Sequence, residues 1–167
     1  VGQNSHDNEA NFVPLADNDL LGFLQDLIGN GGNITHGMYT SFCQSWDSKP
    51  GFCRAVRVVA EHLKGNGQYL LFETVQETPV TLLRCFENVG CDNLAINLDT
   101  ANLILYGKAN PVDALEIFGK YVRNLHAKDG FYPTNGHDLG KEVKIGEGKV
   151  DFEKLFVRLH ELGYDGY

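Results

Sequence analysis

The sequence predicts an α/β fold built from parallel (β/α) units, and three observations lead to this prediction. Short apolar runs close on a polar residue at Glu73, Asp99 and His126, at intervals of 26 and 27 residues. These intervals approach the ~30 residues that a strand, a crossover helix and the next strand occupy. Between the runs lie amphipathic stretches that begin at a capping residue followed by proline and that are followed by glycine.

The first part of the chain, residues 1–50, carries the weakest pattern. Leu20, Leu21, Leu24, Leu27 and Ile28 recur at helical spacing and predict a short helix that stops in the glycine run 29–32. Asn33 to Met38 is expected to form a strand, followed by a polar loop. We therefore divide the chain into an N-terminal segment, 1–50, and a segment of regular (β/α) repeats, 51–167.

The repeat segment opens with a predicted helix over 52–63, where apolar residues recur at helical spacing. Gly65-Asn66-Gly67 ends it, and the run 68–72 is typical of a buried strand that Glu73 closes. Thr78-Pro79 supplies an N-cap followed by proline, so a second helix is expected to begin there. Gly90 ends this helix.

The same unit then repeats. Leu94 to Leu98 is the next predicted strand, which Asp99 closes, and Asn110-Pro111 starts a helix that turns Ala114, Leu115, Phe118 and Val122 inward. A third strand is predicted from Tyr121 to Leu125, with His126 at its end. We expect a loop from Lys128 to Gly148, and then a last helix that Asp151 caps and Gly163 stops.

Length and composition limit the possible functions. A complete (β/α)8 barrel needs ~250 residues, so the 167 residues of this chain predict an incomplete set of units. The net charge is −8 and the basic residues are scattered, which argues against a nucleic-acid-binding protein. No apolar run reaches the ~20 residues of a membrane span. The polar start, Val1 to Glu9, does not look like a signal peptide, so a cytoplasmic location is expected.

The four cysteines, at positions 43, 53, 85 and 91, form no C-x-x-C pair. This spacing argues against a zinc ribbon and against a thioredoxin-type redox motif. Reduced, structural thiols are expected instead.

Three polar residues at the ends of successive strands predict a metal site. In parallel α/β folds the carboxyl ends of the strands meet on one face, where chemistry gathers. Buried carboxylates are costly unless they are paired or bind a metal. Two carboxylates and one imidazole form a recognised ligand set for a divalent cation. We therefore predict Glu73, Asp99 and His126 as its ligands.

Four residues just beyond the strand ends are predicted to bind substrate: Glu77, Asn102, Lys128 and Asp129. Loops at these positions turn back over the site, and their side chains can orient ligands or bind hydroxyl groups. Each one taken alone is equally typical of a solvated loop. Gly146-Glu147-Gly148 allows a phosphate site built from backbone amides, but a plain turn is the preferred interpretation.

The order of several motifs resembles a known family. The segments that carry the resemblance are Leu71 to Pro79, Asn97 to Leu103, His126 to Gly130, and Gly146 to Phe152 with Gly163-Tyr164-Asp165-Gly166. They resemble the sugar phosphate isomerase/epimerase family, which are xylose isomerase-like TIM barrels. The match is continuous over residues 51–167 and loose before them. The matched part resembles about strands four to seven of such a barrel, without the first strands and the last.

The resemblance implies a function. Glu73, Asp99 and His126 would hold one divalent cation (Mn, Mg, Co or Zn), and Glu73 would also be a catalytic acid/base group. Asn102 stands where relatives often place a substrate-contacting histidine. A fourth ligand, a glutamate, is expected just after the Gly-Tyr-Asp-Gly turn, and this chain ends before it.

Two functions remain open from the sequence. The first is a metal-dependent isomerase or epimerase that moves a proton beside the carbonyl of a sugar or sugar phosphate, through an enediolate. The second is a non-catalytic, truncated barrel that self-associates through exposed strands, since unpaired strand edges invite association. The partners expected are a small-molecule sugar and, through such edges, a second copy of the chain, with neither nucleic acid nor membrane.

Overall fold

The computed structural model describes residues 50–166, and the predicted helix and strand before residue 50 lie outside these residues. The described residues form five α-helices, one 3-10 turn and five strands. In chain order they are α1 (Pro50–Gly65), β1 (Leu70–Glu73), α2 (Pro79–Val89), β2 (Leu94–Asp99), α3 (Thr100–Leu105), α4 (Pro111–Phe118), a 3-10 turn (Gly119–Tyr121), β3 (Val122–His126), β4 (Asp129–Phe131), β5 (Lys141–Val143) and α5 (Phe152–Glu161).

The three longest strands form one parallel sheet in the order β1-β2-β3. Glu73 pairs with Asn97, Asn97 pairs with Asn124, and Asp99 pairs with His126. A register shift between Ile96 and Asn97 inserts one extra residue into β3 at this point. Paired residues on neighbouring strands point to the same face, so the polar residues of the three strands share one face of the sheet.

The opposite face of the sheet packs against the helices. Phe72, Ile96 and Leu98 are buried there together with residues of α2, α4 and α5. The rings of Phe72 and Phe86 meet edge to face with centroids 5.3 Å apart, a favoured aromatic geometry. Full burial of each large apolar side chain stabilises the fold by about 1.5–3 kcal/mol. This core fixes the strands whose carboxyl ends form the site.

The helix starts agree with the capping pattern of the sequence. Thr78 accepts a hydrogen bond from the backbone N–H of Thr81, and Asn110 accepts one from Val112. Asp151 does the same for the N–H of Lys154 at the start of α5. Gly90 follows α2 with a φ of 69°, a left-handed conformation that glycine adopts without strain. The predicted starts of α2, α4 and α5 are confirmed.

Two local predictions were wrong. Residues 128–148, expected as a loop, contain the antiparallel pair β4 and β5, in which Asp129 pairs with Val143 and Phe131 with Lys141. The stretch after Asp99 is also not a loop, because α3 starts at Thr100. Val122, where the predicted helix and the predicted third strand overlap, begins β3.

Within residues 50–166, we find no helix with the length and apolar character needed to cross a membrane.

Candidate functional site

The predicted ligands occupy two adjacent levels on the polar face of the sheet. Glu73 lies level with Asn97 and Asn124, and Asp99 lies level with His126, two residues nearer the carboxyl ends. Parallel pairing carries all of these side chains to the same side, because residues two apart on a strand share a face. The site therefore follows directly from the register of three strands.

Short distances join the three side chains. Nδ1 of His126 lies 3.3 Å from Oε1 of Glu73 and 3.9 Å from Oδ2 of Asp99. One ligand atom from each of the three residues falls within 4.8 Å of the other two. Two carboxylate oxygens and one imidazole nitrogen at this separation suit a divalent cation. The structure brings the predicted ligands together, and their role as ligands stays a prediction.

Exposure differs sharply among the three residues. The side chain of Asp99 is 0% exposed, that of Glu73 is 25% exposed and that of His126 is 43% exposed. A shallow depression beside them is lined by Glu73, Leu125, His126, Ala127 and Lys128. A small molecule entering this depression would meet Glu73 and His126 first, with Asp99 beneath them.

Asp99 is held by contacts on both its backbone and its side chain. The hydroxyl of Thr74 accepts a hydrogen bond from the N–H of Asp99 and donates one to its C=O, at 2.9 and 2.8 Å. Oδ1 of Asp99 accepts from the N–H of Asn102 at 3.0 Å and so caps α3. Its second oxygen, Oδ2, is the one that faces His126.

Lys128 reaches the same carboxylate. Its Nζ lies 2.9 Å from Oδ2 of Asp99. Hydrogen bonding to Asp99 raises the pKa of Lys128, outweighing the effect of partial burial, which acts in the other direction. The hydroxyl of Thr100 fixes the backbone here, since it donates to the C=O of Lys128 and accepts from its N–H. Lys128 thus stands at the site, where the sequence predicted it.

Asn102 and Glu77, both predicted to bind substrate, are buried near the strand ends. Asn102 is 9% exposed, and its Nδ2 donates to the C=O of Thr74 at 2.9 Å. Glu77 is 7% exposed in the loop between β1 and α2. The amide of Asn102 therefore links the end of β1 to α3. Contact of either side chain with substrate stays a prediction.

Asp129 is buried, and its carboxylate has a structural role. It is 0% exposed, and its carboxylate accepts four backbone hydrogen bonds of 2.8–3.0 Å, from the N–H groups of residues 130, 146, 148 and 150. The prediction that Asp129 binds substrate finds no support in this geometry. The amides of Gly146 and Gly148 point at this carboxylate, which agrees with the preferred interpretation of that motif as a turn.

Two site residues were missed from the sequence, Asn97 and Asn124. Nδ2 of Asn124 donates to Oδ1 of Asn97 at 2.9 Å, and Nδ2 of Asn97 lies 3.3–3.4 Å from both ring nitrogens of His126. A usable signal was present, because each asparagine stands two residues before a predicted ligand, inside a predicted strand. That spacing places it on the same face of the strand.

Comparison with known proteins identifies the architecture. A family model described as xylose isomerase-like TIM barrel matches residues 28–167. An uncharacterized protein of Methanocaldococcus jannaschii is 34% identical over 90 residues, which cover 53% of this chain and 29% of that protein. The crystal structure of a xylose isomerase domain protein from Planctomyces limnophilus is 32% identical, with a TM-score of 0.66, and the match covers 90% of this chain.

The chain spans only part of these relatives. It covers 56% of the Planctomyces protein and 57% of a xylose isomerase-like TIM barrel protein from Mycobacterium smegmatis, solved in complex with magnesium. The latter is 19% identical with a TM-score of 0.58, and the match covers 90% of this chain. Further structural neighbours include sugar epimerases and a probable dehydratase, at 13–20% identity. Identities this low show the shared fold alone.

Proposed function

The chain belongs to the family of xylose isomerase-like TIM barrels, and from this membership we propose that it carries the metal centre of a sugar isomerase or epimerase. The substrate class proposed is a sugar or a sugar phosphate. The reaction proposed is proton transfer at a carbon beside a carbonyl group, through an enediolate. The observation that supports this assignment best is the convergence of Glu73, Asp99 and His126 on one small volume.

The donor set fits a divalent cation. A buried carboxylate, a half-buried carboxylate and an imidazole offer two oxygens and one nitrogen, which Mn²⁺, Mg²⁺, Co²⁺ and Zn²⁺ accept in differing degree. Oδ2 of Asp99 is the oxygen available for this purpose, because Oδ1 caps α3. When bound, such a cation supplies Lewis-acid stabilisation of negative charge on substrate oxygens.

Glu73 is the group we assign to proton transfer. It is the more accessible of the two carboxylates and lines the depression. A carboxylate within hydrogen-bond reach of a carbon acid takes up its proton and returns it. Lys128 carries the positive charge nearest the depression and is assigned to an anionic or hydroxyl oxygen of the substrate. Asn102 joins the end of β1 to α3 through the C=O of Thr74.

A deuterium-exchange experiment tests the proposal. The chain is loaded with Mn²⁺, incubated in D₂O with a ketose panel that includes L-ribulose and D-psicose, and followed by proton NMR for loss of the C3 hydrogen. Cation binding is measured separately by Mn²⁺ electron paramagnetic resonance. We expect one Mn²⁺ per chain, loss of binding in Asp99→Asn, and loss of exchange in Glu73→Gln. Glu153→Gln, on the exposed face of α5, is the matched control.

A second candidate, the non-catalytic self-associating fragment, rests on one observation. In the described sheet β1 and β3 are the outer strands. Tyr69, just before β1, is 51% exposed and Leu71, within β1, is 40% exposed. Exposed strand edges favour pairing with another copy. A chain that binds no Mn²⁺, exchanges no deuterium and elutes as an oligomer would support this candidate and overturn the enzyme proposal.

A further inference from the structure

We propose that two threonines at the strand ends, Thr74 and Thr100, are positioning residues. Their hydroxyl groups hold Asp99 and Lys128 beside each other, and this placement sets the affinity of the site for its cation. The inference deepens the proposed function and rests on it, because the placement has this use only where Asp99 binds a cation. Its first test is made on metal-free protein and stands apart from cation binding.

Each hydroxyl binds both backbone groups of one residue. The hydroxyl of Thr74 accepts from the N–H of Asp99 at 2.9 Å and donates to its C=O at 2.8 Å. The hydroxyl of Thr100 accepts from the N–H of Lys128 at 3.1 Å and donates to its C=O. Both threonines are buried. We refer to these two arrangements as the Thr74 clamp and the Thr100 clamp.

The two clamps are equivalent in register. β1 ends opposite Asn97, and Thr74 binds the residue two positions after Asn97. β2 ends opposite His126, and Thr100 binds the residue two positions after His126. In a continuing parallel ladder these bound residues would pair with the backbone of the neighbouring strand, which has already ended. The threonine that directly follows each strand end supplies the donor and the acceptor instead.

The two clamped residues share one carboxylate oxygen. Nζ of Lys128 lies 2.9 Å from Oδ2 of Asp99, the oxygen that we assign to the cation. The other oxygen, Oδ1, is occupied by the N–H of Asn102. An ammonium at this distance repels a divalent cation, so Lys128 opposes the cation that Asp99 binds. The Thr74 clamp therefore favours cation binding, and the Thr100 clamp disfavours it.

Loss of the two hydroxyls should change Mn²⁺ affinity in opposite directions. In Thr74→Val the N–H and C=O of Asp99 lose their partner, and we expect binding about tenfold weaker, as when an outer partner of a ligand is removed. Thr100→Val loosens Lys128, whereas His126 stays held by its pairing with Asp99. We expect about two- to fivefold tighter binding there, the size of a partly exposed ion pair. A general loss of stability would weaken binding in both variants.

Serine variants and a matched control complete the set. Thr74→Ser and Thr100→Ser keep the hydroxyl and should bind Mn²⁺ as the wild type does. Thr81→Val is the matched control, because the hydroxyl of Thr81 bonds to the side chain of Thr78 in the first turn of α2. Circular dichroism and thermal unfolding establish that each variant folds. Where Thr74→Val does not fold, Thr74→Ala replaces it, since the smaller side chain admits a water molecule.

The first measurement is amide hydrogen exchange by NMR in metal-free protein. We expect slow exchange at the amides of Asp99 and Lys128 in the wild type, because both are bonded to buried hydroxyls. Thr74→Val should speed exchange selectively at Asp99, and Thr100→Val selectively at Lys128. Fast exchange of both amides in the wild type, or amides that ignore the substitutions, would overturn the inference.

The second measurement is Mn²⁺ affinity by titration calorimetry, with Thr100→Val made also in the Lys128→Met background. Since Thr100 acts through Lys128, its substitution should have no effect in that background. Weaker binding in both valine variants, or an equal effect of Thr100→Val with and without Lys128, would contradict the inference. A wild-type chain that binds no Mn²⁺ overturns the proposed function and the use given to the clamps, while the exchange rates still decide whether the clamps exist.

Discussion

The ammonium of Lys128 lies 2.9 Å from Oδ2 of Asp99, a carboxylate whose side chain is 0% exposed. A buried carboxylate without a partner carries a large desolvation cost. Lys128 therefore compensates the charge of the same oxygen that we assign to the cation. The ammonium and a divalent cation repel each other at this range, so the two compete for Asp99.

Lys128→Met is expected to destabilise the metal-free chain. The substitution keeps the apolar stem and removes the charge, so Asp99 loses its compensation. Lys128 is 42% exposed, so the loss should lie between the values for surface and buried pairs, about 1–3 kcal/mol. Added Mn²⁺ should restore more stability to this variant than to the wild type, because no ammonium competes. Urea unfolding with EDTA and with Mn²⁺ measures both effects.

The matched control for this prediction is Lys154→Met. Lys154 forms an ion pair with Asp151 at 2.8 Å, but the lysine is 75% exposed and Asp151 is 39% exposed. An ion pair this exposed to water contributes little to the free energy of unfolding. An equal loss of stability in the two variants, with no difference in the response to Mn²⁺, would contradict the role given to Lys128.

The interval between polar residues was enough to predict the parallel sheet and the convergence of Glu73, Asp99 and His126, because strand register alone brings them to one face. The same interval did not predict the helix α3. Asp99 ends a strand and caps the following helix at once, and the six residues of α3 are too few to show helical periodicity. The β4–β5 pair was missed for a similar reason, since each strand has three residues and nine residues separate them.

The different surroundings of Lys128 and Asp129 show another limit of what the sequence alone predicts. These residues are adjacent and both charged, yet one reaches the site and the other is enclosed by backbone amides. The donors that enclose Asp129 come from residues up to 21 positions away. Only the tertiary path of that loop decides which charge stays accessible.

Gly148→Ala is expected to destabilise the loop between β5 and α5. A Cβ at position 148 would overlap the carboxylate of Asp129 and the backbone nitrogen of Gly130, neither of which can move without breaking hydrogen bonds. Overpacking of this kind costs about 1–3 kcal/mol. Gly136→Ala is the control, because no atom lies within 4 Å of its Cβ position. Thermal unfolding should show a lowered Tm for the first variant only.

Cys85 is expected to resist alkylation in the folded protein. It is fully buried, and burial raises the pKa of its thiol to about 12, so almost no reactive thiolate forms near neutral pH. Cys53 and Cys91 are partly exposed and serve as internal comparisons. Brief iodoacetamide treatment at pH 8 followed by peptide mass spectrometry should show modification of those two before Cys85. Equal labelling of Cys85 and Cys91 in native protein would contradict the packing described.

We expect Asp129 to make the stability of the folded protein depend on pH. Burial acts to raise the pKa of its carboxyl group, but the four backbone N–H donors outweigh burial, and the pKa lies below its ordinary value. A carboxyl group with a lower pKa in the folded than in the unfolded state stabilises the fold at any pH above its unfolded value, about 3.9. That contribution is lost as the pH falls through the folded pKa, because the native carboxylate is then protonated.

Asp129→Asn tests this dependence directly. The amide keeps the shape but replaces one acceptor oxygen by a donor, so the backbone amides that bind Oδ1 or those that bind Oδ2 lose their partner. Hydrogen bonds to charged groups contribute about 1.5–3 kcal/mol each, so with two of them lost we expect a loss of about 3–6 kcal/mol at pH 7. Urea unfolding from pH 7 to pH 3 should show the difference between wild type and variant shrinking below about pH 4, because the unfolded wild type takes up a proton there that the folded carboxylate still excludes, while the variant has no such group. A difference that stays constant over this range would show that packing, and not the charge of Asp129, holds the loop.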